Sequence, residues 1–377
     1  MKQIPYGHQW IDDSDVAAVA EALRSDWLTT GPRVGEFEAA IASVAGTTGA
    51  VAVSNGTAAL HTAYAAAGIG SGDEVIVPAL TFVATAATAI HHRARVVFAD
   101  VHEDTGNIDP SSAASLLTDR TKVIAAVDYA GHPVDADALT KITKESGVLL
   151  LEDAAHSIGS TYHDRPVGSL ADITTFSFFP TKNMTTTEGG AVVSRESALL
   201  GRARSYREHG LIRDRSRHRH QDEGPWHQEV HELGLNYRLP DVLCALGLTQ
   251  LSRLDTFKAA RKRVFDTYRE ALRDVDGVRL PVQRDDVDPM WHLFPIRVAE
   301  DRRRKLFEYL RDHGVLVQVN YVPVYWHPWF EDHGYRRGMC PVAEQYYREE
   351  ISLPMYANLS ESDQARVIDT VIAGLAQ

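Results

Sequence analysis

The sequence predicts an α/β fold, a seven-stranded and mostly parallel sheet between helices, followed by a smaller α+β unit. Three observations carry that expectation. From residue 50 onward, short β-branched runs alternate with helical patterns, as in a sheet covered on both faces. A long apolar stripe, Leu243, Leu246, Leu251, Leu254, Phe257, Val264, Tyr268 and Leu272, then follows one helical face from Pro240 with small slips. Beyond it strand and helix alternate again to the end. At 377 residues the chain exceeds one small core, and the division is placed near residue 250: a large unit over 1–250, N-terminal segment included, and a small one over 251–377.

Taken in order, Asp13-Ser14-Asp15 precedes VAAVAEALRS, which reads as a capped helix. DWLTTGP then stops it in a turn at Gly31-Pro32. Seven strand-like runs follow: AVAVS (50–54), EVIVP (74–78), RVVFADV (95–101), KVIAAVD (122–128), VLLLED (148–153), ITTFSF (173–178) and GAVVS (190–194). Helical stretches lie between most of them. The Pro240 pattern is expected to be one long helix bridging the two units. After it come WHLFPIRV as strand, DRRRKLFEYLRDHG as helix, VLVQVNYVPV as strand and a closing helix from Ser360.

A net charge of −12 with 24% charged residues disfavours nucleic acid or an anionic membrane as partner. Neither of the two cysteines belongs to a CxxC pair. Cys244 falls in an apolar helical pattern and Cys340 in a polar turn, so a disulfide framework is not expected. No segment approaches 18 apolar residues and MKQIPYGHQW has no signal-peptide core, which reads as cytoplasmic.

Ligands of such sheets bind at the carboxyl ends of strands, and the residues capable of chemistry stand there. Lys182 lies between two strand-like runs in ITTFSFFPTKNMTTTEGGAVV, either as a solvated lysine or as a nucleophilic Schiff-base amine. Asp153 ends the most apolar run and needs a cation or donors, from a ring nitrogen or from the following turn. Ser54-Asn55-Gly56-Thr57 opens a helix and suits either a phosphate or a plain cap. His156 can meet a ligand or bond backbone, Phe82 can cover a ring or fill core, and Ser177 lies five residues before Lys182. Tyr6 and Trp27, in the irregular N-terminal part, read by themselves as packing residues. No G-x-G-x-x-G follows a strand. Seven arginines between Arg202 and Arg219 are a solvated face or part of a diphosphate site. The histidines from His209 to His231 match no zinc-ribbon or H-E-x-x-H spacing, so no metal is expected.

SNGTAAL, PALTFVATA, LLLEDAAHSIGS, FSFFPTKNMTTTEGG and LGLNYRLPD, in this order, resemble the DegT/StrS-type sugar aminotransferase family of fold-type I pyridoxal phosphate (PLP) enzymes. VDYAGHPVD, EGPWHQEVHELGLNYR, VQVNYVPVY and EISLPMYANL resemble the branch that aminates C4 of a UDP-linked 4-keto-6-deoxy-N-acetylhexosamine on the route to pseudaminic acid. The resemblance implies PLP as cofactor, L-glutamate as amino donor and a nucleotide sugar as acceptor. By it Lys182 forms the Schiff base and shuttles the proton, and Asp153 pairs with the pyridinium nitrogen. Gly56, Thr57 and Ser177 hold the phosphate, Phe82 covers the ring and His156 contacts it. Asn236 reaches the neighbouring subunit's site, which implies a homodimer, and Tyr6, Trp27, Leu28, Thr29 and Tyr321 match substrate positions.

Two residues depart from the family pattern, Phe179 where His is common and Thr187 where Gly or Ala is common. Retention of Lys182 argues against the related sugar 3-dehydratases, which carry His there. The resemblance leaves open another keto sugar or keto-cyclitol, such as a dTDP-linked one, and a non-catalytic relative that only binds cofactor or sugar nucleotide.

Overall fold

The computed structural model describes residues 2–377, and the alternating first half of the chain forms the expected sheet. Its strands are β1 (Gly49–Val53), β2 (Glu74–Pro78), β3 (Arg95–Ala99), β4 (Thr121–Val127) and β5 (Leu149–Asp153). After a small hairpin of β6 (Thr161–Tyr162) and β7 (Arg165–Pro166) come β8 (Ile173–Ser177) and β9 (Gly190–Ser194). The order across the sheet is β1-β9-β8-β5-β4-β2-β3. Only β9 runs against its neighbours. Val75 and Val77 of β2 enter one apolar cluster and Ile76 another on the opposite face; Val123 and Ala125 part from Ile124 in the same way in β4. Burial on both faces is why these strands read as continuous apolar runs.

Helices α1 (Asp13–Arg24), α2 (Pro32–Ala45), α3 (Gly56–Ala67), α4 (Ala84–His91), α5 (Pro110–Ser115), α6 (Ala136–Ser146) and α7 (Ser197–Arg207) belong to this half. Two of them correct the sequence reading. α1 starts three residues early, because Asp12 caps it by accepting from Ser14 and Asp15 while the Asp15 carboxylate accepts from the Asp12 N–H. α2 was not expected at all, since Gly31-Pro32 reads as a turn. Pro32 in fact opens the helix, where its missing N–H costs nothing, and the cap comes from far along the chain: buried Asp241 accepts from the Gly31 N–H at 2.6 Å and the Arg33 N–H at 3.0 Å.

The long helix expected from Pro240 is two, α8 (Asp241–Ser252) and α9 (Leu254–Leu272). The slips in its stripe mark the corner at Arg253, which leaves helical geometry at φ −105° and ψ 11° and is held by ion pairs to Asp12 and Asp15. Strands β10 (Leu211–Ile212) and β11 (Glu229–Val230) form an arm, and β12 (Val287–Asp288) extends the small hairpin. In the last third, β13 (Phe294–Arg297) pairs antiparallel with β14 (Glu350–Leu353), flanked by α10 (Glu300–Asp312), α11 (Pro328–Asp332), α12 (Pro341–Glu349) and α13 (Glu361–Leu375). Ile4 packs into the apolar cluster of this part.

VLVQVNYVPV forms isolated bridges and no strand, because the Asn320 N–H is taken at 2.7 Å by the Glu350 carboxylate and Pro323 has no N–H to give. Cys340 is buried at the start of α12 and not in a polar turn; both cysteines are free. Among the described residues no helix is long and apolar enough to cross a membrane.

Register sets the site. Val127, Asp153 and Thr175 lie side by side, and Gly190 faces both Ser177 and Val53, so the carboxyl ends of β1, β4, β5 and β8 share one edge.

Candidate active site

A cavity of about 570 Å³ opens at that edge. Nine of the residues singled out in the sequence line it: Tyr6, Gly56, Thr57, Phe82, Asp153, His156, Ser177, Lys182 and Tyr321. The other four do not. Trp27, Leu28 and Thr29 are exposed on the loop that Asp241 ties down at Gly31, and Asn236 is exposed where it bridges to Glu208. A role of these four in a substrate or cofactor pocket is therefore not served by this chain's own cavity.

Lys182 sits on a loop braced from several sides. The Lys182 N–H donates to Phe179 O at 2.9 Å, and Asn183 Nδ2 reaches the carbonyls of His156 and Met290, each at 2.8 Å. Arg261 of α9 donates to the Lys182 carbonyl at 3.2 Å. The three threonines, which the sequence left without a role, close the loop: Thr185 Oγ1 donates to Phe178 O at 3.0 Å, Thr186 Oγ1 to Glu188 O at 2.9 Å, and the Thr187 N–H to Thr185 Oγ1 at 2.9 Å. Gly189 and Gly190 are required by close approach, since a Cβ would lie 2.0 Å from Thr186 Oγ1 and 2.5 Å from Asn55 O respectively. Burial pushes the Lys182 amine down to about 8, against the opposing charge of Asp153.

Asp153 is buried and accepts from Thr85 Oγ1 at 2.7 Å and more loosely from the Ala155 N–H at 3.2 Å. Thr85 is held in turn by Thr81 at 2.9 Å. No arginine or lysine forms a salt bridge with Asp153 among the described residues. Burial raises its pKa while Thr85 and Lys182 lower it. His156 is buried and neutral, its pKa lowered by burial and by Lys182. Its Nε2 meets the Tyr321 hydroxyl at 3.2 Å, its ring lies tilted against that of His292 at 4.3 Å, and its Nδ1 has no partner among the described residues.

Gly56 and Thr57 are the first residues of α3, whose first-turn N–H groups have no partner within the helix. Asn55 is the cap, accepting from Ala58 N–H at 2.8 Å. A Cβ at Gly56 would lie 2.8 Å from Ser177 Oγ, so the glycine keeps that hydroxyl beside the helix N-terminus. An anion cradle, a buried carboxylate short of a cation, a desolvated amine and an unpartnered imidazole nitrogen together fit an aromatic, cationic, phosphate-bearing carbonyl compound.

The whole chain agrees with that reading. Residues 9–372 match the model of the DegT/DnrJ/EryC1/StrS aminotransferase family. The chain belongs to this family. It is 38% identical to the spore coat polysaccharide biosynthesis protein SpsC of Bacillus subtilis, over 98% of this chain and 96% of that one. It is 36% identical to the UDP-4-amino-4,6-dideoxy-N-acetyl-beta-L-altrosamine transaminase of Campylobacter jejuni, over 98% and 97%. Among solved structures, PseC of Helicobacter pylori, an aminotransferase of pseudoaminic acid biosynthesis, superposes with a TM-score of 0.93 at 32% identity over 100% of both chains. The PLP form of the sugar aminotransferase Spr1654 of Streptococcus pneumoniae does so at 0.92 and 27%, over 99% and 98%.

As a DegT/DnrJ/EryC1/StrS member the chain is a PLP-dependent aminotransferase of the fold-type I architecture. Its two departures from the family pattern separate in space. Phe179 lines the cavity, whereas Thr187 is exposed outside it with φ +67°, a left-handed geometry that a β-branched residue rarely adopts. Sequence reasoning missed Thr81, Thr85, Tyr237, His292 and Asn320, all of which line the cavity. The available signals were weak: two hydroxyls four residues apart where the chain after β2 enters the alanine-rich α4, and a single histidine in the apolar run MWHLFPIRV.

Proposed function

We propose that this aminotransferase moves the amino group of L-glutamate to C4 of a nucleotide-linked 4-keto-6-deoxy sugar of the UDP-N-acetylhexosamine type. The observation that carries the reading is the convergence of Lys182 and Asp153 on one cavity with the α3 N-terminus. The named activity of the Campylobacter relative and the biosynthetic role of PseC support the choice of acceptor.

PLP, when bound, supplies the carbonyl that takes up the amine and the ring that accepts electron density from the substrate carbon. The Gly56 and Thr57 N–H groups and the Ser177 hydroxyl would hold its phosphate. Asp153, without a salt-bridge partner among the described residues, would hold the ring nitrogen protonated, with Thr85 fixing the carboxylate. Lys182 would accept and return the proton through its Nζ. Burial lowers its amine to about 8, which favours the neutral form that acts as a base. His156, neutral and packed between Tyr321 and His292, would orient the ring.

The exposed positions of Trp27, Leu28, Thr29 and Asn236 support a homodimer in which each copy completes the other's site. The division into a unit over 1–250 and one over 251–377 belongs to the same reading. A panel of UDP- and dTDP-linked 4-keto sugars with glutamate, read by product mass, tests it. Amination of a UDP-linked 4-keto-6-deoxy-N-acetylhexosamine is the expected result; turnover confined to 3-keto or dTDP-linked substrates would overturn it.

A further inference from the structure

We propose that the arm between β10 and β11 holds one divalent transition-metal ion through His218, His227 and Glu229. The loop from 213 to 228 has one short 3₁₀ turn, Arg215–Arg217, and loops of this length without further structure are commonly functional. It nonetheless folds its histidines inward: the donor atoms of His218, His227 and Glu229 all lie within 4.8 Å of one another, and His218 and Glu229 are buried.

Glu229 pairs closely with His231 through Oε2, while its Oε1 stands farther from His227, at a separation that an ion between the two would give. A charge-assisted N–H to carboxylate bond closes to about 2.8 Å, whereas donors at about 2.1 Å from a tetrahedral ion stand about 3.4 Å apart. His227 Nε2 and Glu229 Oε1 are separated by 3.2 Å. The His218 donor lies within 4.8 Å of both.

The supporting contacts are those a metal site needs. His218 donates through Nε2 to Ile212 O at 2.8 Å, which leaves Nδ1 for a ligand bond. The Glu229 carboxylate is aimed by the N–H groups of Arg219 and His220, both at 2.7 Å, and by His231 Nε2 at 2.5 Å. Two imidazoles and a carboxylate suit zinc and its neighbours in the first transition row, and three protein ligands leave a position for water. The donors are spaced H-x8-H-x-E, which matches no familiar motif, so spacing alone does not reveal them. An ion there would tie the loop onto β11, six residues before Asn236.

The test uses the untagged full-length protein, stripped with a chelator and titrated with Zn²⁺ by calorimetry. One equivalent is expected to bind, and His218→Ala and His227→Ala are each expected to weaken it by 10- to 100-fold. His61→Ala, outside the arm, should leave binding unchanged. Zinc should also slow tryptic cleavage at Arg215, Arg217 and Arg219 in the wild type and not in the variants, while cofactor absorbance stays constant. Absence of saturable binding, or wild-type affinity in the His218→Ala, His227→Ala double variant, would overturn the proposal and leave a hydrogen-bonded carboxylate–histidine cluster only.

Discussion

The floor of the cavity and the exposed loops outside it are built on different terms. On the floor, Lys182, Asp153 and His156 are fixed by contacts within the chain: Asn183 and Arg261 hold the lysine loop, Thr85 holds the carboxylate, and Tyr321 and His292 hold the imidazole. Outside the cavity, Trp27, Leu28 and Thr29 stand in solvent on the loop that Asp241 ties at Gly31, and Asn236 stands in solvent where it bridges to Glu208. Groups that hold or move protons need fixed geometry and low dielectric. Surfaces that recognise a varied substrate, or a second copy, need neither until they are covered.

The comparison breaks first at the floor. Lys182→Ala is expected to abolish transamination, a loss of about 10⁴-fold or more; retained turnover measured by product mass would remove the lysine from the chemistry. Asp153→Asn keeps shape and removes charge, with an expected fall in kcat of about 10²- to 10³-fold. An unchanged kcat in that variant would mean that Asp153 serves the turn after β5 and not the ring.

Buried Glu350 accepts from the Asn320 N–H and the Ser352 hydroxyl, and burial raises its pKa to about 8 against the lowering by these two donors and the charge of Arg303. The folded state therefore binds a proton that the unfolded chain has released above about pH 4.3. The stability from this group is complete below that value and is lost as pH rises through 8. Glu350→Gln should flatten the decline in stability between pH 5 and 8, measured by denaturant midpoints across that range.

Outside the cavity, Asp241→Ala strips the side-chain cap of α2 and is expected to cost about 1–2 kcal/mol in chemical denaturation, with the loop at residues 27–30 freed at the same time. The smallest effect expected is at Thr187. Left-handed backbone costs a side-chain-bearing residue about 1–2 kcal/mol, so Thr187→Gly should stabilise the protein by about 1 kcal/mol. Phe179→His, on the cavity wall, should instead alter KM for the sugar; a reversal of the two effects would mean that the loop's two unusual residues act together.

The sheet was legible because strands buried on both faces read as largely apolar or β-branched runs, and all seven show that pattern. The chemistry was legible where a polar residue ends one of those runs, as Asp153 and Ser177 do, and where Lys182 stands on the loop between two of them. Neither α2 nor the α8–α9 corner was, because each depends on an acid distant in the chain, Asp241 for one and Asp12 with Asp15 for the other.

By itself, then, the sequence determined the sheet, the edge where the site lies and the residue types standing on that edge, all of which follow from local periodicity and local chemistry. Tertiary structure alone decided that Thr81, Thr85, His292 and Asn320 join the site, that Trp27, Leu28, Thr29 and Asn236 do not enter this chain's cavity, and that His218, His227 and Glu229 meet. Those are contacts between residues far apart or oddly spaced, and no local pattern encodes the closing of a loop around them.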